Sequence, residues 1–440
     1  MRTAFVFHVT DAVGFRSKML NWLSRFNIFC LLDNPGNSGG SDRFEWMAAV
    51  DSIEILEASA GNAFQQLKAF SNQHYDWLFG HFSYDLKNET EQLRSAHPNE
   101  TGFADLCFFI PRWVICMNQN RLTIECSTEE EANNAFIEIG ATTPDQYSQP
   151  LPRFSGIQLR YSKQDYLDAV AHIQNHIHRG DCYELNFCQE FVMNADVAAP
   201  VSLYNRLLAL SPNPFAALYR INQSWCLCAS PERYLALNGN RLYSQPIKGT
   251  STRFPDDPVR DQESKNRLLL SEKERSENVM VVDLVRNDLS RICQRGSVQV
   301  EELFGLYSFP QVHQMISTIS GFLPNEVHWT DAVAATFPMG SMTGVPKKRV
   351  MELIERYERS RRGLFSGAVG YVRPSGANGQ REFDFNVIIR SLFYNETAQQ
   401  ISFQAGSAIT AASVPEEEYS ECLLKINAIC RVLGLDELSV

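Results

Sequence analysis

Apolar residues in the first third of the chain form short runs that end at turn-forming residues. The clearest run is 28–32, a continuous apolar stretch followed by the turn-forming residues 33–36. A short apolar run bounded in this way predicts a buried strand and a turn. Residues 141–152 are polar and include three prolines, so we interpret them as a connector. We therefore expect an N-terminal region over 1–150 and a second region over 155–440.

The second region alternates between helical and strand-like patterns without a regular period. Residues 163–178 carry apolar side chains at helical spacing and stop before a glycine, which predicts a helix. Runs 225–228 and 367–372 are strand-like. In 383–390, apolar and polar residues alternate, which predicts a strand with Arg390 on its polar face. Grouped strands with irregularly placed helices indicate a mixed α+β fold rather than a doubly wound sheet.

Composition and charge exclude several classes of partner. The 440 residues are 44% hydrophobic and carry a formal net charge of −11, and no basic run is present. Nucleic acids and anionic membrane surfaces favour basic patches, so neither is expected to be a partner. The sequence lacks a membrane-spanning apolar run and a secretory signal pattern, which predicts a cytoplasmic protein. Its eleven cysteines include no C-x-x-C pair, so we expect reduced, mostly buried thiols.

Two pairs of glutamates lie in segments that we predict to be helices, Glu274 with Glu277 and Glu418 with Glu421. A separation of three residues puts both carboxylates of a pair on one helical face. Residues 413–416 form a capping-box pattern just before the second helix. Four carboxylates that converge from two helices suit Mg²⁺, which prefers oxygen ligands. Taken alone, each pair is more typical of a solvated helix face.

One lysine and one glutamate have the context of catalytic groups. Lys248 stands between an apolar residue and a glycine in 245–250. Near a cation or in a desolvated pocket its ammonium form is disfavoured, and the free amine is a nucleophile. The alternative is an exposed lysine in a turn. Glu232, in 230–233, can serve as a general acid if burial raises its pKa, and otherwise belongs to a proline turn with a charged pair.

These pieces occur together in an order that resembles the chorismate-utilising enzymes, a family that includes anthranilate, aminodeoxychorismate, isochorismate and salicylate synthases. The resemblance extends from about Tyr161 to the C-terminus. It is carried by GDCYELN (180–186), SPER (230–233), PIKGT (246–250), NVMVVDLVRNDL (278–289), VH (312–313), Ser317, FPMGSMTGVPK (337–347), GAVGY (367–371), IRS (389–391) and EYSE (418–421). It implies largely antiparallel β-sheets packed together with helices on the outside.

The resemblance also implies roles for the site residues. Lys248 is expected to attack ring carbon C2 while Glu232 protonates the departing C4 hydroxyl. The ligands expected for Mg²⁺ are Glu274, Glu277, Glu418 and Glu421. The expected substrate contacts are Arg390 with the enolpyruvyl carboxylate, backbone amides near Gly406, Ser407 and Ala408, and His313 and Thr250 beside the ring.

Position 248 separates activities within the family. Members that make 4-amino-4-deoxychorismate carry lysine there, whereas anthranilate synthases usually carry a small residue. Glu184 matches a lysine of the water-adding members and counts against their chemistry. The resemblance therefore implies amination of chorismate for 4-aminobenzoate and folate synthesis. The chain lacks a Gly-x-Cys-x-Gly nucleophile elbow, so ammonia is expected from a separate glutaminase subunit.

Two other functions stay open at this point. The first is anthranilate synthase component I, and the second is a non-catalytic, chorismate-binding regulatory subunit. In the N-terminal region the resemblance is weak and rests on 31–34 and 80–86. Relatives bind tryptophan beside the first of these segments. Whether this chain binds it is open, and Leu31 and Leu32 are equally explained as core strand residues.

Overall fold

The computed structural model describes residues 2–35, 44–144, 153–154, 156–374 and 381–435. Within these ranges the strands are β1 (Thr3–His8), β2 (Ile28–Asp33), β3 (Trp46–Ala58), β4 (Leu78–Phe82), β5 (Leu106–Asn118), β6 (Arg121–Cys126), β7 (Arg153–Phe154), β8 (Gln158–Leu159), β9 (Glu184–Asp196), β10 (Phe215–Ile221), β11 (Ser224–Ser230), β12 (Arg233–Asn238), β13 (Arg241–Gln245), β14 (Ile247–Thr252), β15 (Gln299–Ser308), β16 (Val312–Phe322), β17 (Gly344–Val345), β18 (Ala368–Arg373), β19 (Glu382–Val387), β20 (Ser391–Asn395) and β21 (Gln400–Ile409).

The α-helices within the same ranges are α1 (Ala12–Leu23), α2 (Ala63–Gln73), α3 (Lys87–Thr90), α4 (Glu129–Ala141), α5 (Lys163–His178), α6 (Pro200–Leu210), α7 (Pro258–Leu270), α8 (Glu272–Ser290), α9 (Trp329–Thr336), α10 (Lys347–Tyr357) and α11 (Pro415–Val432). Short 3₁₀ turns lie at Tyr84–Leu86 and Gly340–Met342.

The strands pair antiparallel throughout in a long curled sheet. From one end, the order runs through β15, β16, β13, β12, β19, β18, β4 and β5. It continues through β3, β2, β10, β11, β20 and β21 to β9. Strand β14 also pairs with β16, so it lies at the first end of the sheet. The antiparallel pairing and the outer helices confirm the expected α+β fold.

The central strands are buried on both faces. In β11, Trp225 and Leu227 point into one hydrophobic core, whereas Cys226 and Cys228 point into another on the opposite face. Helices α2, α8 and α9 pack on the second of these cores, and α1, α4, α6 and α11 pack on the first. Because successive side chains of a strand point to opposite faces, burial on both sides requires a continuous apolar run. This is why 28–32 and 225–228 show no alternation in sequence.

Most of the predicted elements are confirmed. Helix α5 covers the predicted 163–178, and β2, β11 and β18 contain or largely overlap the predicted strands. The strand predicted over 383–390 ends earlier, at Val387. The predicted alternation holds for the buried Phe383 and Phe385, but Asn386, expected on the polar face, is buried as well. Arg390 lies beyond the strand with φ of 53°, so its placement on a strand face was wrong. The chain must turn here to enter β20.

The predicted capping box before α11 is also wrong. The helix begins at Pro415, and its N-cap is Val414, which has no side chain that could accept a hydrogen bond. The Ser413 hydroxyl instead accepts a hydrogen bond from the Thr410 amide at 3.1 Å. Proline fits the first helical position because its φ is already helical and its missing N–H would have no partner there.

The expected boundary between 1–150 and 155–440 stays a prediction, since 145–152 lies outside the described residues. Strands from the two sides pair directly, β2 with β10 and β4 with β18. All eleven cysteines are free thiols, and nine of them are buried. No helix among the described residues is both long enough and apolar enough to cross a membrane.

A buried ion pair fixes the end of α8. The Lys347 ammonium donates to Asp288 Oδ2 at 2.6 Å and to the Thr336 carbonyl at 3.0 Å. The Asp288 and Lys347 side chains are 4% and 5% exposed. Their contact ties α8 to the start of α10 and to the end of α9, so it holds the helix that carries Glu274 and Glu277.

We expect Asp288→Ala to lower the free energy of unfolding by ~3–5 kcal/mol, because it leaves the Lys347 ammonium buried without its counter-ion. Urea unfolding followed by circular dichroism measures the change. Asp283→Ala on the same helix is the control, since Asp283 is paired with Arg286 but is 63% exposed. The control is expected to change stability by less than ~1 kcal/mol. Equal losses in the two variants would contradict a special contribution of the buried pair.

Candidate functional site

The candidate site lies where the two ends of the curled sheet meet. Lys248 belongs to β14 at one end, and Glu184 is the first residue of β9 at the other. The Lys248 ammonium donates to Glu184 Oε1 at 2.8 Å. Gly249 follows the lysine with φ of +93°, and a Cβ at this position would stand 3.0 Å from Glu274 Oε2. The glycine therefore supplies a backbone conformation that other residues rarely adopt, and it lets β14 approach α8.

Lys248 is surrounded by carboxylates. Besides Glu184, it faces Glu277 Oε2 at 4.0 Å, and its side chain is 12% exposed. Burial lowers the pKa of Lys248, but the negative charges of Glu184 and Glu277 outweigh burial and raise it above its usual range. The expectation that desolvation would favour the free amine is therefore wrong for the cation-free chain. Opposite charges in contact stabilise the ammonium form more than burial destabilises it.

Glu232 has the environment of a general acid. It lies between β11 and β12, is 5% exposed, and its Oε1 accepts a hydrogen bond from the Ser341 hydroxyl at 2.6 Å. Burial raises the pKa of Glu232 to about 7, although Ser341 and Lys248 both act to lower it. A carboxyl group with this pKa is partly protonated near neutral pH, as proton donation requires. The expectation that burial would raise this pKa is met.

The two glutamate pairs lie on α8 and α11, as expected from their spacing. Ser271 caps α8 by accepting a hydrogen bond from the Glu274 amide at 3.3 Å. Burial raises the pKa of Glu274 and that of Glu277, in the latter case to about 7, and the negative charge of Glu421 adds to the rise at Glu274. The two pairs therefore face each other across one cleft. Glu418, 1% exposed, is the most deeply buried of the four.

Three lysines offset this negative charge, Lys248 as described above, Lys273 and Lys425. Lys273 donates to Glu418 Oε1 at 3.4 Å, and Lys425 contacts Glu421 Oε1 at 2.7 Å. Lys425 also donates to the Gly406 carbonyl at 2.8 Å. At Glu421 burial acts to raise the pKa, but the charge and hydrogen bond of Lys425 and the charges of Lys273 and Lys248 together outweigh it, so the pKa of this carboxyl is lowered. Each lysine contact satisfies a carboxylate that would otherwise be buried or crowded without a partner.

The donor chemistry of the cleft fits a hard divalent cation. Carboxylate oxygens presented by two facing helices are the ligands that Mg²⁺ prefers, and their mutual repulsion favours a cation between them. No three acidic, histidine or cysteine side chains in the described part of the chain are already gathered closely enough to hold an ion. Glu277, Glu418 and Glu421 are paired with lysines instead. The four carboxylates fit Mg²⁺ by their chemistry, not by their present spacing, and their role as its ligands stays a prediction.

Arg390 is a cation without an anionic partner. Its side chain is half-buried, and among the described residues its guanidinium makes no hydrogen bond or ion pair. Burial lowers the pKa of this group, and only the more remote charge of Glu421 opposes the change. A guanidinium that is partly desolvated and unpaired favours the arrival of an anion, because a carboxylate supplies charge-assisted hydrogen bonds.

The remaining predicted contacts lie on the strands around this cleft. Gly406, Ser407 and Ala408 belong to β21 and pair with β9. A Cβ at 406 would stand 2.0 Å from the Phe187 carbonyl oxygen, so only glycine allows this close approach. Thr250 lies two residues beyond Lys248 on β14 and is exposed. These four placements are compatible with substrate contact, which stays a prediction.

His313 lies on β16 beside β14 and is fully buried. Its Nδ1 is 2.9 Å from the Ser308 hydroxyl, and its Nε2 is 2.9 Å from Asp261 Oδ1. Both ring nitrogens therefore have partners within the protein. Because the residue is also 0% exposed, its predicted contact with the substrate ring stays a prediction.

Sequence reasoning missed four partners of the site residues. Ser341 lies within the family motif 337–347 but had no assigned role, and Glu184 was considered only as evidence against water addition. Lys273 and Lys425 were not singled out. For Lys425 a signal existed, since it follows Glu421 by four residues, the spacing of a helical ion pair.

The N-terminal segment 31–34 lies away from this cleft. Leu31 and Leu32 are 1% and 6% exposed, which confirms them as core strand residues. A separate small cavity is lined by Asn34, Phe44 and Asn386 among others. Its contents stay open.

Comparison with known proteins agrees with the geometry. Residues 36–431 match the family model described as chorismate binding enzyme. Aminodeoxychorismate synthase component 1 of Escherichia coli (strain K12) is 34% identical over 357 residues, covering 80% of this chain and 76% of its own length. Anthranilate synthase component 1 of Thermus thermophilus is 32% identical over 372 residues, with coverage of 82% and 78%.

A solved structure shows the same fold. Anthranilate synthase component I from Streptococcus pneumoniae TIGR4 matches with a TM-score of 0.76 at 22% identity, covering 89% of this chain and 92% of that one. Contacts join several of the motifs, since Lys248 of PIKGT contacts Glu184 of GDCYELN and Ser341 of FPMGSMTGVPK donates to Glu232 of SPER. With a family match over most of the chain and relatives above 30% identity, this chain belongs to the chorismate binding enzyme family.

Proposed function

We propose that this protein converts chorismate and ammonia into 4-amino-4-deoxychorismate. The observation that carries the proposal is the enclosed Lys248, 2.8 Å from Glu184 and close enough to Glu232 for their charges to interact. Identity alone does not separate the two named activities, since the relatives quoted are 34% and 32% identical. A lysine nucleophile at 248 favours amination at C4, because it occupies C2 and leaves C4 open to ammonia.

The first step forms a covalent adduct. Lys248 first passes its ammonium proton to the Glu184 carboxylate that it contacts at 2.8 Å. The resulting free amine attacks ring carbon C2, the ring double bond shifts, and the C4–O bond breaks. Glu232 donates its proton to the departing hydroxyl, which leaves as water. Glu184 is the carboxylate in contact with Lys248, so it is placed to hold the amine during the attack. Positioning of this kind lowers the entropic cost of the step.

The second step reverses the movement of electrons. Ammonia attacks C4, the double bond shifts back, and the bond between C2 and the lysine nitrogen breaks, which releases Lys248 as an amine. The Glu232 carboxylate left by the first step can take the excess proton from the new C4 ammonium. Lys248 then takes its proton back from Glu184. Chorismate and ammonia thus give 4-amino-4-deoxychorismate and water, and Lys248, Glu184 and Glu232 return to their starting states.

Binding of the substrate dianion requires positive charge at two places. Arg390, which has no ion-pair partner, would pair with the enolpyruvyl carboxylate. Glu274, Glu277, Glu418 and Glu421 would hold Mg²⁺. When bound there, Mg²⁺ supplies a positive centre that neutralises the ring carboxylate. The backbone around Gly406 and the walls formed by Thr250 and His313 would orient the ring.

We further propose that ammonia comes from a separate glutaminase subunit in the cytoplasm. The similar protein from Escherichia coli is named component 1, which implies a partner component for that protein. The product would serve 4-aminobenzoate and folate synthesis. Anthranilate synthase component I and a non-catalytic regulatory subunit are the competing functions.

Lys248→Ala is expected to abolish C4 amination, with a fall in turnover of about 10³-fold or more, because the nucleophile is lost. The measurement is product analysis by chromatography and mass after incubation with chorismate, Mg²⁺ and high ammonium. Omission of ammonium should let a mass adduct accumulate on wild-type Lys248 but not on the variant. Anthranilate from the wild type would identify the competing synthase, and no conversion with or without a glutaminase would favour the regulatory subunit.

Adduct formation is expected to slow as pH rises through about 7. The pKa of Glu232 in the folded protein is about 7, well above the usual value of a carboxyl group, so the proton donor is lost above this pH. Glu232→Gln should reduce the rate of adduct formation by about 10²–10⁴-fold. It should also remove the fall in rate above pH 7, which is the alkaline limb of the pH–rate profile. Ser341→Ala should shift the limb to higher pH, since the Ser341 hydroxyl stabilises the Glu232 carboxylate. An unchanged limb in Glu232→Gln would exclude Glu232 as the acid.

A further inference from the structure

We propose that Lys273 sets the cation affinity of the cleft by taking the place of the divalent ion when none is bound. The inference rests on the proposed function only in that the ion is the Mg²⁺ proposed there. Lys273 directly precedes Glu274 on α8, and its ammonium reaches across the cleft to Glu418 Oε1 on α11 at 3.4 Å. It therefore joins the two helices that carry the glutamate pairs.

Glu418 explains why a positive group is needed at this point. Its side chain is 2% exposed, so its carboxylate is almost fully removed from water. A buried carboxylate without a partner is costly, and either an ammonium or a divalent cation can supply the missing charge. Among the described residues Lys273 is the group that supplies it.

The three lysines of the cleft differ in what else they contact. Lys248 is held by Glu184, and Lys425 is held by the Gly406 carbonyl as well as by Glu421. Lys273 has Glu418 as its hydrogen-bond partner and is 50% exposed. Its long aliphatic stem allows the ammonium to move into water when another cation takes its place. Lys273 is thus the lysine whose displacement costs least.

Lys273 and a divalent ion would compete for the same carboxylate. Each of the two cations would neutralise Glu418, and at this short range their positive charges repel each other. A lysine that forms an ion pair with Glu418 and also repels the incoming ion lowers the affinity of the site for that ion. The half-exposed pair is screened by solvent, so we expect a modest effect of about twofold to tenfold in affinity.

Calorimetric titration of the full chain with Mg²⁺ alone, at low ionic strength and without chorismate, tests the proposal. Lys273→Met and Lys273→Gln are expected to bind Mg²⁺ about twofold to tenfold more tightly than wild type, because the competing charge is gone. Lys273→Arg keeps the charge and should stay within about twofold of wild type. Lys68→Met is the matched control, since Lys68 forms a half-exposed pair with Asp331 away from the cleft.

Thermal unfolding with and without Mg²⁺ provides a second readout that also verifies folding. In the absence of Mg²⁺ the two neutral variants should unfold at a lower temperature than wild type. Addition of Mg²⁺ should raise their unfolding temperature more than it raises that of wild type. Equal or weaker Mg²⁺ binding in both neutral variants would overturn the proposal, as would the absence of Mg²⁺ binding in all variants. Tighter binding in a protein that makes no 4-amino-4-deoxychorismate would support this inference while the proposed function fails.

Discussion

The contact between Lys248 and Glu184 joins the two ends of a sheet that is otherwise continuous from β15 to β9. Lys248 lies on β14, which packs against α8. Glu184 lies on β9, which pairs with β21. The four glutamates of the two pairs lie on the helices α8 and α11, whereas Glu232 lies in the connection between β11 and β12. The geometry of the site therefore depends on how far the sheet curls, and the buried side chains on both of its faces fix that curvature.

Electrostatics is the second constraint. The cleft gathers an excess of carboxylates. Burial raises the pKa of Glu277 and that of Glu232 to about 7, and at Glu277 repulsion from neighbouring carboxylates adds to the rise. Lysines reduce this excess at Glu184, Glu418 and Glu421. Among the described residues Arg390, in contrast, is a positive group without a hydrogen-bonded or ion-paired negative partner. A site with surplus negative charge on one side and an unpaired guanidinium on the other suits a cation and a dianion that bind together.

The fold does not decide the reaction. The structural match at 22% identity is an anthranilate synthase, and the relatives above 30% identity carry two different names. Different chemistry on one scaffold has to come from the few side chains that touch the ring. In the proposed reaction those are Lys248, as the nucleophile, and Glu184, which contacts it. Both lie on strands, whose positions are fixed by neighbours on each side, so a change of one residue can alter chemistry without altering the fold.

Much of this protein was determined by local sequence. Periodicity identified α5 and the strands β2, β11 and β18, because helix and strand spacing is a property of neighbouring residues. The order of the motifs identified the family and the candidates Lys248 and Glu232. Where a local pattern failed, at Arg390 and at the start of α11, the chain had to turn or a proline shifted the helix start by one residue.

Only the tertiary structure decided what each of these residues contacts. Lys248 and Glu184 are 64 positions apart, Glu232 and Ser341 are 109 apart, and Lys273 and Glu418 are 145 apart. No local pattern encodes such pairs, since they arise when the sheet closes and brings distant strands and helices together. The charge state of Lys248 shows the consequence. Sequence context predicted a free amine from desolvation, whereas the folded chain places two carboxylates beside the ammonium, and Coulomb attraction in a buried site outweighs the cost of burial.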